Sequence, residues 1–235
     1  MQPLYYAILN GHTEAVKLLV ERGVDLYVED CDGHITSYVA LCNTKEPSSM
    51  VNCLVDCGID FNMLTSRYKH TLVHMAHWHS NDVNINLVRA LLNTGLVDIN
   101  KMSNAGTALH VAVASCSNVG ICRLLLDHGA DLEAVDRKGN TPLLATQIHN
   151  SWTRYDIITM LLDSGANINA VNTMTGNTLL HSVVRWRDYI DVVRLLLDRG
   201  ADPRIKNKKD ATVLHVAESN YTHMIARAMK DMSTS

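Results

Sequence analysis

The stretch GNTLLHSVVRWRDYIDVVRLLLDRGAD, residues Gly176–Asp202, contains two short apolar stripes between two glycines. Thr178 stands where a helix N-cap is expected, because its hydroxyl can accept a backbone N–H of the first turn. Helical spacing then predicts two helices, with the stripes Leu179, Leu180 and Val183 in the first and Ile190, Val193, Leu196 and Leu197 in the second. Gly200 should end the second helix, since glycine enters the left-handed conformation without steric cost. Neither stripe can be buried within one unit, so the pattern predicts a stack of units.

Variants of this stretch recur along the whole chain. The hexapeptide TLLHSV at 178–183 aligns with TLVHMA at 71–76, TALHVA at 107–112, TPLLAT at 141–146 and TVLHVA at 212–217. A glycine follows the second predicted helix of six units, at Gly23, Gly58, Gly95, Gly129, Gly165 and Gly200. The separations between these glycines are 35, 37, 34, 36 and 35 residues. The hexapeptide and the glycine are two independent features of the sequence, and both recur with this period.

This pattern resembles the ankyrin repeat, whose unit of about 33 residues carries a T-P-L-H-x-A signature at its first helix. The resemblance covers essentially the full chain. It implies an all-α ankyrin-repeat solenoid, in which short β-hairpin-like turns join helix-turn-helix units. It also implies a single domain, 1–235, with about seven repeats at approximately 1–30, 31–65, 66–101, 102–135, 136–172, 173–206 and 207–235. The uneven repeats with long inter-helix loops also resemble those of poxviral ankyrin proteins.

Several repeats depart from the pattern. Gln2 replaces the capping threonine of the first repeat, residues 35–38 replace most of the signature in the second, and Lys69 replaces the turn glycine in the third. Repeats four to six match the pattern best. We therefore expect repeats four to six to be the stable centre and repeats one and two to open first.

Composition excludes several classes of protein. Apolar residues make up 47% of the chain, yet no apolar run approaches the roughly 18 residues that a membrane span needs. The net charge of −3 argues against a general nucleic-acid binder. The six cysteines include no CxxC pair and no disulfide-framework spacing, which favours a reducing compartment, cytoplasmic or nuclear.

Charge is distributed unevenly along the chain. Residues 1–117 contain 7 Lys and Arg against 11 Asp and Glu, whereas the remaining residues contain 14 against 13. The first hairpin region is acidic, with Glu29, Asp30 and Asp32, and the last is basic, with Arg204, Lys206, Lys208 and Lys209. Two interpretations stay open, namely ordinary solvated turns or a field that orients an extended partner.

Residue types that carry chemistry form no known catalytic motif in this chain. No nucleophile motif, HExxH, P-loop or GxGxxG fingerprint is present, so we expect no enzyme, no cofactor and no metal site. His74, His77 and His79 form a dense cluster of the residue type that binds zinc. However, His74 belongs to the repeat signature, whose histidines (His74, His110, His181 and His215) bond the neighbouring turn in this family. Asn62, Asn100 and Asn169 resemble an asparagine-hydroxylation context in ankyrin hairpins, or simply suit a turn.

The resemblance also implies where a partner binds. In this family the variable exposed positions flank the turn glycine and the end of the first helix. Here they give the predicted partner-binding set Arg67, Tyr68, Trp78, His79, Arg137, Lys138, Arg185, Trp186, Lys208 and Lys209. Trp and Arg dominate binding hot spots. The alternative for each Trp, including Trp152, is that its ring packs over its own long loop.

The sequence therefore predicts a protein-interaction scaffold or adaptor that binds a partner protein on the concave face of the solenoid. The partner surface facing repeats five to seven should be acidic, and neither nucleic acid nor membrane is expected as a partner. The alternative is an ankyrin segment of a larger protein, such as a ubiquitin-ligase substrate receptor, a viral host-range factor, an enzyme or a channel.

Overall fold

The computed structural model of the chain describes residues 3–75, 82–115, 119–146, 153–185 and 189–219. Over these residues the structure is helical, and the only β-structure is two isolated antiparallel bridges, Glu29 with Ile35 and Ser103 with Gly106. The helices are α1 (Pro3–Leu9), α2 (Thr13–Glu21), α3 (Thr36–Asn43), α4 (Pro47–Asp56), α5 (Leu72–Met75), α6 (Asp82–Asn93), α7 (Ala108–Ser115), α8 (Val119–Asp127), α9 (Pro142–Ala145), α10 (Thr153–Asp163), α11 (Leu179–Val183), α12 (Ile190–Asp198) and α13 (Val213–Ser219). In this part of the chain, no helix is both long and apolar enough to span a membrane.

The helices pack in successive pairs, as the repeat pattern predicts. The chain divides into two compact units, Met1–Asp131 and Leu132–Ser235. In the first unit α1 packs against α2 and α3, α4 against α2 and α6, and α7 against α5 and α8. In the second unit α11 packs against α12 and α13. Within each unit, helices of consecutive repeats thus pack on one another, and the predicted all-α ankyrin-repeat solenoid is confirmed.

The helix starts follow from the local sequence. Proline occupies the first helical position at Pro3, Pro47 and Pro142, where its missing N–H removes no intrahelical bond. At α11 the Thr178 side chain accepts a hydrogen bond from the backbone N–H of His181, as predicted. Gly200 follows α12 at φ 89°, and its N–H donates to Leu197 O at 3.0 Å.

The buried face of α12 differs in part from the predicted stripe. Val193 and Leu196 are buried, as expected, but Ile190 and Leu197 are only half-buried. Val192 and Leu195 are buried in their place. Adjacent helical residues point about 100° apart, so a shift of the inward face by one position is enough to exchange them.

Two signature histidines, His74 and His181, tie their first helix to the following turn. Thr71 donates through its backbone N–H to His74 Nδ1 at 3.2 Å, and His74 Nε2 lies 3.1 Å from Gly106 O. His181 Nε2 makes the same contact to Ala211 O at 3.2 Å. In the second repeat Tyr38 stands at the histidine position and is buried, but its hydroxyl donates to Asp60 O at 2.9 Å, within its own repeat. The family role of the histidine is thereby confirmed at His74 and His181.

Candidate functional site

The predicted binding residues lie mainly on the turns between repeats, which we call hairpin tips (residues 30–33, 66–69, 103–106, 136–139, 172–176 and 207–210). Among the predicted residues, Arg67, Arg137, Lys138, Lys208 and Lys209 are exposed tip residues. Tyr68 is a half-buried tip residue, and Arg185 is exposed at the end of α11. Trp78, His79 and Trp186 lie outside the described residues, as does Trp152.

Each tip is shaped by a side chain that accepts backbone hydrogen bonds within the turn. Asp136 Oδ1 accepts from the backbone N–H groups of Lys138 and Asn140, both at 2.8 Å. In the last described tip, Asn207 Oδ1 accepts from Lys209 N at 2.9 Å and from Ala211 N at 3.1 Å. These short polar side chains fix the turn, and the cationic side chains project from a defined backbone.

Neighbouring tips of the second unit are also bonded to each other. Asn172 Nδ2 donates to Lys138 O at 2.8 Å, and Thr173 N donates to Gly139 O at 2.9 Å. On the other side, Lys208 N donates to Thr175 O at 3.0 Å. The three tips thus form one bonded row.

The cations of this row, and those that precede its last tip, differ in their partners. Arg204 pairs with Asp202 at 2.9 Å, and these hydrogen bonds lower the pKa of the Asp202 carboxyl. Lys206 pairs with Asp210 at 2.9 Å, and Lys208 Nζ donates to Thr173 O at 2.6 Å. Over the described part of the chain, Arg137, Lys138 and Lys209 make no ion pair. Their charges are therefore exposed to solvent and available to a partner.

The tip at 66–69 in the first unit has an aromatic centre. The ring of Tyr68 stacks between His34, at 5.7 Å between centroids, and His70, at 5.6 Å. His70 in turn stacks on the signature histidine His74 at 5.6 Å. The Arg67 guanidinium lies 5.3 Å from the centre of the Tyr68 ring. The Tyr68 ring is thus packed against two histidine rings and the Arg67 guanidinium, and the part of the phenol that stays exposed is what this tip offers to a partner.

Two tips carry a side chain where the turn needs glycine. Among the described residues, Lys69 at φ 55° and Asp210 at φ 59° are the non-glycine positions in the left-handed region. Such strain persists where the surrounding structure holds it, and it clusters at ligand clamps and other functional sites. Both positions adjoin predicted binding residues, Tyr68 and Lys209.

Sequence reasoning missed one exposed residue of the tip row. Met174, two positions before the turn glycine Gly176, is 64% exposed, the highest value among the large apolar side chains that the structure describes. The position rule that selected Arg137 and Lys138 before Gly139 also selects Met174.

The first hairpin region combines acidic groups with a histidine. Ligand atoms of Asp30, Asp32 and His34 lie within 4.8 Å of one another. Asp30 Oδ1, however, accepts from the backbone N–H groups of Asp32 and His34, both at 2.9 Å. Asp30 thus shapes the turn in the same way as Asp136 does in the second unit.

The other predicted chemical groups take structural contacts. Both ring nitrogens of His74 are engaged, with Thr71 and Gly106, which leaves no lone pair for a metal ion. His77 lies outside the described residues. Asn100 Nδ2 donates to Gly129 O at 3.3 Å and its Oδ1 accepts from Asp131 N at 2.8 Å, so its amide bridges consecutive turns. Asn62 and Asn169 bridge turns similarly, and hydroxylation at these asparagines stays a prediction.

Comparison with known families places the repeat pattern along most of the chain. The family described as "Ankyrin repeats (3 copies)" matches residues 37–136, 74–172 and 133–207. The single "Ankyrin repeat" matches residues 1–28. Together these matches cover nearly all of the described residues.

Individual relatives agree with this assignment. The human B-cell lymphoma 3 protein is 35% identical over 247 residues, which cover 99% of this chain and 51% of that protein. The crystal structure of the ankyrin repeat domain of Bcl-3, titled "a unique member of the IkappaB protein family", matches with TM-score 0.80 and 32% identity, covering 97% of this chain and 98% of that one. Ankyrin repeat protein B18 of Variola virus is 27% identical over 55% of this chain and 26% of its own length. The chain thus spans about half the length, or less, of these curated relatives.

Proposed function

The chain belongs to the ankyrin-repeat family, and we propose that it is an interaction scaffold or adaptor whose hairpin tips and first helices bind a partner protein. Helices hold the spacing, and the tips supply side chains that have no packing role. The proposal concerns this repeat array itself and gives it no catalytic step. It includes a cytoplasmic or nuclear location, which the free thiols of the described cysteines favour.

The bonded row of tips in the second unit carries the proposal. Exposed cations on a backbone fixed by hydrogen bonds bind with little loss of conformational entropy. Arg137, Lys138 and Lys209 have no acidic partner within the described chain, so a partner's carboxylates can pair with them. The partner surface facing repeats five to seven is therefore acidic.

Other residues of the predicted set are proposed as further contacts. Arg185 is exposed at the end of a first helix, and Lys208 is partly engaged through Thr173 O. In the first unit, Arg67 and the edge of Tyr68 are proposed as additional contacts. Trp78, His79 and Trp186 are proposed from their sequence positions. Arg and aromatic side chains should provide affinity, while the lysines should mainly steer association.

The proposal is tested by identifying a partner and reversing tip charges. Capture from source lysate should yield a protein that binds directly, and the paired substitutions Lys138→Glu and Lys209→Glu should slow its association at low salt. Arg194→Glu is a control for reversing one charge away from the tips, because Arg194 lies on α12 with its side chain 64% exposed, 3.9 Å from Asp191. Equal association of the tip variant and the control would exclude the tip row as the binding surface.

A further inference from the structure

One apolar side chain stands within the cationic row of the second unit. Met174 is 64% exposed on the tip at 172–176. A single exposed apolar residue is ordinary on a protein surface. A binding role for Met174 therefore has to be argued from its position between the neighbouring tips, because its exposure alone does not indicate one.

The Met174 tip is held on one side by the preceding tip. Thr173 N donates to Gly139 O at 2.9 Å. A Cβ placed on Gly139 would lie 3.0 Å from Met174 Cγ, so the methionine side chain rests directly on the Gly139 turn. Arg137 and Lys138, the two residues before Gly139, are both exposed. One side of Met174 is thus bordered by cations on a fixed backbone.

The following tip borders the other side. Lys208 bonds this tip twice, through its backbone N–H to Thr175 O at 3.0 Å and through Nζ to Thr173 O at 2.6 Å. Lys209, the next residue, is exposed and makes no ion pair within the described chain. Cations therefore lie on both sides of Met174.

The carboxylates of these tips are engaged with groups other than the side chains of Arg137, Lys138 and Lys209. Asp136 accepts two backbone N–H groups of its own turn, at Lys138 and Asn140. Asp210 pairs with Lys206 at 2.9 Å. The surface that surrounds Met174 thus combines an apolar centre with a positive border.

We infer that the Met174 tip binds an extended acidic peptide segment of a partner protein, with an apolar side chain on Met174 and a carboxylate on each side. This inference rests on the proposed function and adds the chemistry of the bound segment. Methionine is flexible and polarisable, so it accepts apolar side chains of different shapes. The flanking carboxylates pair with Arg137 or Lys138 on one side and with Lys209 on the other.

The spacing of the tips sets the pattern of the segment. Backbone hydrogen bonds place neighbouring chains about 5 Å apart, and different residues of the Met174 tip, Thr173 and Thr175, bond the two neighbouring tips. With the span from Thr173 to Thr175 added, the two cationic tips flank Met174 at roughly 15 Å from each other. In an extended segment every second side chain shares a face, at a rise of about 3.3 Å per residue. Carboxylates four residues apart, with the apolar residue midway, span about 13 Å, which flexible lysine and arginine side chains accommodate.

The probe that tests this pattern is a fluorescein-labelled peptide with the core Glu-Ser-Leu-Ser-Glu, whose binding to the full chain is followed by fluorescence anisotropy. Replacing both Glu by Gln should weaken binding at least about tenfold at low salt. Replacing Leu by Ser should weaken it about five- to tenfold. Met174→Ser should cause a similar loss, and the two changes together should lose little more, because they remove the same contact.

Control variants separate the contact from effects on folding. Met174→Leu keeps an apolar side chain and should retain binding, whereas Lys138→Glu with Lys209→Glu should abolish it. Arg194→Glu on α12 carries the same charge change as either lysine variant alone and should bind as the unchanged chain does. Melting temperatures of all variants should agree, since each altered side chain is exposed.

Each contrary outcome overturns a defined statement. Equal binding of the Leu and Ser peptides overturns the role of Met174 and leaves the acidic-partner proposal standing. Equal binding of the Glu and Gln peptides overturns both. A single-stranded oligonucleotide of matched charge that competes as well as the peptide would show a purely electrostatic surface, which also overturns the inference. Absence of measurable peptide binding also overturns the inference about the bound segment. In that case, capture of a partner whose binding depends on Lys138 and Lys209 would still support the proposed function.

Discussion

At the scale of single residues, Lys69 holds a backbone conformation that suits glycine. Its φ of 55° lies in the left-handed region, which costs an L-residue about 1–2 kcal/mol. The greater freedom of glycine in the unfolded chain offsets part of that cost. We expect Lys69→Gly to raise the free energy of unfolding by about 0.5–1 kcal/mol, as measured by urea denaturation.

Two further variants isolate the backbone as the cause. Lys69→Ala removes the charge but keeps the strain, so its stability should stay close to that of the unchanged chain. Gly139→Ala should be destabilising, because Gly139 has φ 78° and its Cβ would press on Thr173 and Met174. If Lys69→Ala stabilised the chain as much as Lys69→Gly does, strain would not be the explanation.

Arg185 and Trp186 allow a second prediction at this scale. Arg185 is exposed after α11, and Trp186 follows it at a position that varies in the family. Arg185→Ala with Trp186→Ala should weaken partner binding by at least about 2 kcal/mol and leave the melting temperature nearly unchanged. An early melting transition with undiminished affinity of the folded fraction would instead identify Trp186 as packing for its own loop.

At the scale of the helix, periodicity predicts which residues form an apolar stripe, but not which residues of the stripe are fully buried. Leu196 is buried, whereas Leu197, one residue later, is half-buried. We expect Leu196→Ala to lower the free energy of unfolding by about 2–5 kcal/mol and Leu197→Ala to lower it by clearly less, in thermal or urea unfolding. Equal losses would mean that the inward face of α12 lies elsewhere.

The same limit explains what the sequence predicted of each element. The start of α11 at Thr178 and the contact of His181 with Ala211 follow from local residue types, so sequence reasoning found both. The rotation of α12 depends on the surfaces of neighbouring helices, which a stripe of four apolar residues does not specify. A motif search also misses contacts that a substitution changes, since Tyr38 replaces a signature histidine and bonds Asp60 O within its own repeat.

The α11 element should respond to pH through His181. Burial lowers the pKa of His181 below its ordinary value near 6.5, so the unfolded chain binds the proton more readily. Stability should then be complete above that ordinary pKa and decline as pH falls through it. Urea unfolding between about pH 7.5 and 5.5 should show this decline. His181→Gln should make the free energy of unfolding depend less on pH. If the slope stayed unchanged, His181 would not be the cause of the decline.

At the scale of the whole molecule, sequence position predicts which tip residues are exposed, but it does not predict the contacts that these tips make. The rule for variable positions correctly places Arg137, Lys138 and Lys209 on exposed tips. It does not reveal that the ring of Tyr68 is packed between two histidines, because that stacking joins residues from different repeats. It also gives no sign that neighbouring tips are bonded into a row, since backbone hydrogen bonds leave no residue signature.

Differences between repeats should appear as an order of local opening. Repeats four to six match the family pattern best, whereas Gln2 and residues 35–38 depart from it in repeats one and two. In a repeat array, stability is a sum of unit and neighbour terms, so a weak terminal unit opens without the rest. Hydrogen exchange under native conditions should therefore be faster in residues 3–60 than in α8 or α12.

The variant Tyr38→His restores the signature histidine and serves as a control, because Tyr38 is buried and already bonds Asp60 O. That variant should not slow exchange, and slowest exchange in residues 3–60 would contradict the predicted order.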